Sequence, residues 1–406
     1  MNPWFQTPPS PELNGTTADL PVVIIGAGLA GCFLAAELAE RKIPSIVIDS
    51  GHSPATGASG NPAAVVKPYV TRNEGLITPY YQQAYSQLQR YLSQTELASA
   101  IDYRPVGALQ LVNHHYPPNT LYQSLSATET QRVSGLALNS KSLWFKEAGW
   151  LNPASLCQRL LDHSLIRLIT NRTINGLTPQ EDQWQLSFAQ KTHTPLQAHH
   201  VVLANGSRLN AFDQTQHLPI IPARGQLSRF RLKHSLHSPL PVITGKHYAI
   251  QDADTLLVGA SFKRGDVSNK VSDAEHEQNY DGVKQLIPDV GITSQAIAGY
   301  TGIRATTPDR LPVVGLLPKI AQYPSLYGDI HHGKKPSTYP AAPYYKGLYV
   351  IGGFGSRGVT HAPIAARYLT DLLTTPDVEI PDFLHPARFC IANLKRRRQP
   401  FIMTHG

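Results

Sequence analysis

Cysteine is scarce in this chain. Its 406 residues hold three, Cys32, Cys157 and Cys390. They are an odd number, far apart, and form no CxxC pair. This spacing argues against a disulfide framework and a structural zinc site, and favours a reducing compartment, with the cytoplasm as default. Long apolar runs are missing as well: no stretch approaches the ~20 residues needed to cross a bilayer. The opening segment, MNPWFQTPPSPELNGTTADLP, lacks the basic region and apolar core of a signal peptide, so residues 1–20 read as a polar leader. No internal repeat and no low-complexity run is present.

What is there describes an ordinary globular protein, 41% hydrophobic and 16% charged. Its length exceeds a single simple core, so two domains or one large composite are expected. Lysine and arginine number 36 against 28 acidic residues, a formal net charge of +8. That excess permits a polyanionic partner without requiring one. No RRM signature, KH loop or zinc knuckle is present, so any nucleic-acid recognition would come from the folded surface.

Residues 21–50 read as strand, helix, strand. PVVIIG is a short β-branched apolar run. LAGCFLAAELAERK carries helical spacing through Ala30, Phe33, Leu34 and Leu38, and IPSIVID is apolar again. Such a βαβ unit implies a buried parallel sheet. A Gly/Ser/Pro-rich loop follows at 51–62, then a helical segment at 74–99. Between 101 and 300, GALQLV, WQLSFAQ, VVLANG, GQLSRFRL and TLLVGASF suggest sheet, with PASLCQRLLDHS as an intervening helix. Residues 316–346 are expected to form a long Pro/Tyr/Gly loop. The chain then returns to strand, turn and helix in GLYVIGGFGSRG and VTHAPIAARYLTDLLT.

Gly26-Ala27-Gly28-Leu29-Ala30-Gly31 is a GxGxxG directly after a strand and opening a helix. Gly26 permits the tight turn, Gly28 lets backbone approach a pyrophosphate, and Gly31 allows close helix–strand packing. The helix N-terminus then offers N–H groups and a positive dipole end to the phosphates. Asp49, at the end of the second strand, is placed to accept a ribose hydroxyl. The pattern indicates a dinucleotide but does not separate FAD from NAD(P). The next loop, GASGNPAAVVKP, brings Ser59, Gly60 and Asn61 among small neighbours, suited to a large flat ligand. Far downstream, Gly353, Gly355, Ser356 and Gly358 form a second glycine-rich turn before a helix. A second helix N-terminus suits an isoalloxazine, whose reduced form carries negative charge. Cofactor contacts at both ends of the chain favour FAD.

The ordered set VIIGAGLAG, GASGN, VVLANG, RGQLS, VGASFKRGD, GIRATTPDRLPVVG and GSRGVTHAP resembles the D-amino-acid-oxidase-like flavoprotein superfamily. More narrowly it resembles the FAD-dependent oxidoreductase half of the MnmC family of tRNA 5-methylaminomethyl-2-thiouridine biosynthesis proteins, over residues 21–398. The resemblance implies a mixed α/β fold: a Rossmann-like FAD-binding domain with an interleaved, mostly antiparallel substrate domain of the glycine and D-amino-acid oxidase type. The expected division is FAD-binding at 21–73, 145–225 and 301–395, substrate-binding at 74–144 and 226–300, and a basic tail at 396–406. Two departures stand out: Pro62-Ala63-Ala64-Val65 after GASGN replaces a polar, glycine-containing run, and the 316–346 segment is variable.

The activity so implied is oxidative removal of the carboxymethyl arm from 5-carboxymethylaminomethyl-(2-thio)uridine at the wobble position of the tRNA anticodon loop. The products are 5-aminomethyl-(2-thio)uridine and glyoxylate. With only about twenty residues before the fingerprint, the expectation is a stand-alone oxidoreductase, any later methylation falling to a separate methyltransferase. No side-chain acid or base is obligatory, because an unprotonated amine can release a hydride directly to the flavin. What the reaction needs is a grip on the carboxylate.

Arg304 matches the arginine that performs this task in related oxidases, and a planar guanidinium fork suits a carboxylate. A structural salt bridge, with Asp309 as partner, is the competing reading. Tyr248 resembles a tyrosine that helps hold substrate carboxylates, though a packed core tyrosine reads equally well. Arg357 is a second anion contact or a brace for the cofactor loop, and Lys67 is a weaker candidate of the same kind. Arg310 is expected to pair locally or face solvent. Lys263, Arg264, Lys395, Arg396, Arg397 and Arg398 are candidate tRNA contacts or solvated surface. No metal and no membrane contact is expected. The first alternative is an oxidase of a free small amine such as glycine, sarcosine or a D-amino acid, which Arg304 would serve equally. The second is a non-catalytic flavin- or RNA-binding protein.

Overall fold

The computed structural model describes residues 2–8, 20–234 and 239–397. The described residues form two compact units, one drawn from 1–57, 160–222 and 304–406, the other from 58–159 and 223–303.

The first unit is organised by a six-stranded sheet ordered Val313–Pro318, Tyr344–Gly352, Val201–Leu203, Val22–Ile25, Ser45–Ile48, Ile166–Ile169. Every pairing is parallel except that between the first two strands. Val22–Ile25 is buried throughout, as a central parallel strand must be when both faces are covered. The helix Leu29–Glu40 returns the chain to Ser45–Ile48, giving the βαβ unit read from the sequence. Ile174–Gln180, Gln183–Phe188 and Leu196–Ala198 form a separate antiparallel meander whose Trp184 and Leu186 pack into the core with Val201 and Leu348.

In the second unit a nine-stranded sheet runs Lys263–Arg264, Ile221–Arg231, Thr255–Gly259, Tyr248–Asp252, Val242–Thr244, Ala108–Leu111, Ser142–Phe145, Gln123–Leu125, with Ala298–Thr306 also paired to Ile221–Arg231. It is antiparallel along most of its width, with Val242–Thr244 and Ala108–Leu111 parallel. The helix Asp273–Leu286 buries Val283 and Leu286 in a core with Phe230, Ile243, Leu256 and Val258. The expected helical segment at 74–99 is two helices, Thr78–Leu92 and Thr95–Ala100. The architecture is the mixed α/β composite expected: a parallel-sheet unit and a largely antiparallel one, their segments alternating along the chain.

The segment 316–346 is not the shapeless loop its composition suggests. The strand Val313–Pro318 occupies its start, and short helical turns follow at Ile320–Gln322, Tyr323–Tyr327, Ile330–His332 and Pro336–Thr338. The reason is aromatic packing. Tyr327 and Tyr339 stand edge-on to Trp4, with ring centroids 6.0 and 5.8 Å away, and the Tyr323 hydroxyl donates to the Trp4 carbonyl at 3.0 Å. Trp4 and Phe5, which sit in the leader, are accordingly buried.

Candidate functional site

The first glycine turn meets a steric demand that only glycine satisfies. Gly26 leaves its strand at φ +115°, and a Cβ there would lie 2.5 Å from the Ala204 carbonyl oxygen. At Gly31 a Cβ would come within 1.9 Å of the Gly26 carbonyl oxygen, so the helix begins pressed against the strand before it. Gly28 takes the N-cap position in an extended conformation and contributes no capping side chain. The positive end of the helix therefore faces the turn, an anion-binding arrangement.

Asp49 does more than the sequence suggests. Its carboxylate accepts the Ala27 N–H at 2.6 Å and the Gly51 N–H at 2.7 Å, so it orders the turn and the loop after its own strand. A carboxylate offers about four acceptor sites, which leaves capacity for a ribose hydroxyl. Sequence reasoning passed over Asn205, just beyond Val201–Leu203. Its Nδ2 donates to the Arg208 carbonyl at 2.8 Å, while Oδ1 is buried without a hydrogen-bond donor among the described residues. A buried orphan acceptor costs about 1–3 kcal/mol, and a hydroxyl donor bound beyond the strand ends would satisfy it. Dinucleotides sit outside the carboxyl ends of such strands. The glycine cradle, the helix end, Asp49 and Asn205 together fit one. A polar residue just past an apolar strand of a parallel sheet was the available signal for Asn205.

The second glycine turn lies in the same unit. Gly353 and Gly355 have φ of +75° and +57°, and a Cβ on Gly353 would lie 2.9 Å from Thr307 Cγ2. The Gly355 N–H donates to the Ala305 carbonyl at 2.7 Å, tying this turn to the strand end that carries Arg304. Ser356 is exposed. Arg357 caps the helix Gly358–Thr374, and a Cβ on Gly358 would approach Leu29 Cδ1 to 3.2 Å, so the two helix starts pack closely. The His361 ring stacks on Phe354 at 6.5 Å. Burial first, and the Arg357 charge second, push its pKa down to about 3, so His361 is neutral at physiological pH.

Arg304 is half-buried. Its proposed structural partner is engaged elsewhere: the Asp309 carboxylate accepts Arg388 Nε at 2.8 Å and Nη2 at 3.0 Å. Arg388 also donates to the Leu311 and Leu384 carbonyls, which makes it the structural arginine of this region. Arg310 is exposed, at a left-handed φ of +63°.

Most of the remaining candidates belong to the second unit. Ser59 and Gly60 form a helical turn, Ala58–Gly60, and the Asn61 side chain accepts the Ala63 N–H at 3.1 Å. The Gly60 backbone bonds the Tyr300 hydroxyl, and a Cβ on Gly302 would lie 3.1 Å from Ala58 Cα, so this loop rides on the strand leading to Arg304. Tyr248 is half-buried, opposite Gly259, and packs against a core containing Phe145 and Trp150. The Lys67 ammonium is held internally, donating to Gln110 Oε1 at 2.7 Å and lying 4.7 Å over the Phe145 ring. Lys263 and Arg264 are exposed on a short edge strand, with Lys263 3.7 Å from Glu275. In the first unit, Lys395, Arg396 and Arg397 are exposed where the helix Arg388–Lys395 ends; Arg398 lies outside the described residues. Among the described residues no cluster could hold a metal ion, and no helix is long and apolar enough to cross a membrane.

Comparison with known proteins agrees with this geometry. The chain is 28% identical over 386 residues to the tRNA 5-methylaminomethyl-2-thiouridine biosynthesis bifunctional protein MnmC of Legionella pneumophila (strain Corby), covering 90% of this chain and 57% of that protein. It is 30% identical over 407 residues to the protein of the same name from Methylobacillus flagellatus, covering 93% and 60%. The chain thus spans less than two thirds of these relatives. Among solved structures, glycine oxidase from Geobacillus kaustophilus superposes with a TM-score of 0.69 at 20% identity, covering 87% of this chain and 94% of that one. L-proline dehydrogenase from P. horikoshii gives 0.70 at 14% identity, covering 92% and 98%. The family described as FAD dependent oxidoreductase matches residues 21–372. The chain belongs to that family, and FAD is its cofactor.

Proposed function

We propose that this oxidoreductase removes the carboxymethyl arm from 5-carboxymethylaminomethyl-(2-thio)uridine at the tRNA wobble position, leaving 5-aminomethyl-(2-thio)uridine and glyoxylate. The observation that carries the reading is the likeness to proteins named for that nucleoside's biosynthesis over nine tenths of this chain. Placement of Arg304 supports it: a half-buried guanidinium at a strand end stitched to the second glycine turn, with Asp309 already satisfied by Arg388.

When bound, FAD supplies the acceptor for the hydride equivalent lost by the arm. The chain's own residues hold and orient. The two glycine turns, Asp49 and Asn205 would secure the cofactor, with Ser59, Gly60 and Asn61 adding contacts from their loop. Arg304 would pair with the arm's carboxylate in a bidentate fork, fixing which CH2 reacts. Tyr248 and Arg357 are the further candidates for that carboxylate. Water hydrolyses the oxidised C–N bond, supplying the oxygen of glyoxylate. The target base must leave its stack to be reached, as enzymes acting on bases require. Lys263, Arg264 and Lys395–Arg397, with the overall charge of +8, suit contact with phosphates. The primary amine left behind is the group a separate methyltransferase would take.

Flavin bleaching by undermodified tRNA, set beside bleaching by glycine, sarcosine and D-alanine, tests the reading. Reduction by tRNA supports it. Reduction by a free amino acid alone would transfer the assignment to a small-amine oxidase.

A further inference from the structure

The strand Ala298–Thr306, which carries Arg304 near its end, has two differently occupied faces. Side chains alternate along extended backbone, so residues 299, 301 and 303 share one face and residues 300, 302 and 304 the other. The odd face is taken up within the second unit. There the Thr301 hydroxyl donates to the Asn269 carbonyl at 2.6 Å, and a Cβ on Gly299 would lie 2.7 Å from His276 Cε1.

The even face meets the loop that holds Ser59, Gly60 and Asn61. A Cβ on Gly302 would lie 3.1 Å from Ala58 Cα and 3.8 Å from Ala58 Cβ, so this glycine lets the loop backbone rest on the strand. The same Cβ would lie 3.6 Å from Tyr300 Cε1, which sets the tyrosine ring along the strand beside Gly302. From there the hydroxyl hydrogen-bonds the Gly60 backbone. Burial pushes the Tyr300 pKa up and this bond opposes the rise, the sign expected when the Gly60 N–H donates to the phenolic oxygen.

Residues Ala58–Gly60 form a single helical turn. One turn has little stability of its own, so its position is set by what holds it. The Asn61 side chain orders the exit of the loop by accepting the Ala63 N–H at 3.1 Å. Tyr300 and Gly302 fasten the turn itself, and Arg304 follows them at the next position of the same strand face.

We propose that Tyr300 is a positioning residue for the oxidation. By pinning Gly60 against the strand beside Gly302, it keeps the Ser59–Asn61 loop in register with Arg304, so that cofactor and gripped carboxylate hold one spacing. The inference rests on the roles assigned above, the loop contacting FAD and Arg304 gripping a carboxylate. It does not require that the carboxylate belong to tRNA.

The test compares FAD-loaded Tyr300→Phe, Gly302→Ala, the double variant and, as a control on the opposite strand face, Thr301→Val. Flavin release on dilution, the visible flavin spectrum and Tm are measured, with kcat and KM on the arm-bearing nucleoside and on glycine. Tyr300→Phe keeps the ring but removes the acceptor of the Gly60 N–H, so FAD should bind about tenfold more weakly. A displaced loop misaligns the reacting atoms, so kcat should fall about tenfold, while KM, governed by the Arg304 grip, changes less than about threefold. Gly302→Ala should reproduce this pattern. The double variant should lose little more than the larger single loss, because both substitutions act on one contact. Thr301→Val should lower Tm yet leave the flavin spectrum and kcat unchanged. Wild-type kcat and FAD affinity in Tyr300→Phe overturn the inference. So does a raised KM with unchanged kcat, which would assign Tyr300 to substrate binding. A Thr301→Val protein that matches Tyr300→Phe in spectrum and kcat also overturns it, because strand stability alone would then set activity. Where the wild type oxidises glycine and leaves the nucleoside intact, the reaction assigned above fails, and the Tyr300 inference stands or falls on the glycine and flavin data.

Discussion

Two arginines of one region should fail in opposite ways. Arg304→Ala removes the proposed carboxylate grip but leaves Asp309 paired, because Asp309 is held by Arg388 at 2.8 and 3.0 Å. Truncating one partner of a buried charge pair costs about 2–5 kcal/mol, which at ~1.4 kcal/mol per decade lowers kcat/KM about 30-fold to several thousand-fold. Bound flavin and thermal stability should be retained. Arg388→Ala inverts the pattern. That side chain is 8% exposed, and its loss strands a carboxylate and the Leu311 and Leu384 carbonyls. Breaking a buried pair costs roughly 3–5 kcal/mol. Asp309, 36% exposed, recovers some of that through water, so the lower end is expected. With an unfolding entropy of about 2.1 cal/mol/K per residue, a chain of 406 residues shifts by about 1.2 °C per kcal/mol, so Tm falls by roughly 3–4 °C. Flavin absorbance, differential scanning fluorimetry and steady-state turnover on the arm-bearing nucleoside separate the two. An Arg304→Ala protein that loses its flavin or melts early, or one that keeps full turnover, would falsify the reasoning.

Other consequences follow from the same geometry. Gly31→Ala drives a Cβ to within 1.9 Å of a backbone oxygen, so the helix must retreat from the strand and FAD should bind more than about tenfold more weakly, read by flavin release on dilution. Burial pushes the pKa of His217, His361 and His385 from 6.5 down to about 3. The unfolded chain therefore binds more protons between those values, and stability rises with pH across that window. Each of these histidines removes up to about 1.4 kcal/mol per pH unit as pH falls below ~6.5; urea unfolding at two pH values checks this, and equal stability at pH 5 and 7.5 would contradict it. Replacing Lys395, Arg396 and Arg397 with alanine should lower the salt slope of tRNA binding by about 0.7–0.9 for each phosphate no longer neutralised. An unchanged slope would leave those side chains as solvated helix end.

The cofactor half was legible because its demands are local. A tight turn and a close helix–strand approach each dictate glycine at a fixed spacing, so Gly26 and Gly31 could be read from thirty residues; Asp49 was legible as an acid after the second strand, while its bonds to the Ala27 and Gly51 N–H groups come only with the fold. The relation between Arg304, Asp309 and Arg388 could not. Asp309 and Arg388 are separated by 79 positions and meet only through the fold. Asn205 belongs to the recognisable stretch VVLANG, yet its orphaned Oδ1 is visible only with the neighbouring strands in place. The 316–346 segment misled for a related reason. Proline, tyrosine and glycine read as a loop, but the tyrosines pack around Trp4, more than 300 residues away in sequence.

The most direct measurement is mass analysis of nucleosides from undermodified tRNA incubated with the FAD-loaded protein. The account predicts that 5-carboxymethylaminomethyl-(2-thio)uridine disappears as 5-aminomethyl-(2-thio)uridine and glyoxylate accumulate in equal amounts. Unchanged nucleosides from a protein whose flavin is bleached by glycine or sarcosine would contradict it.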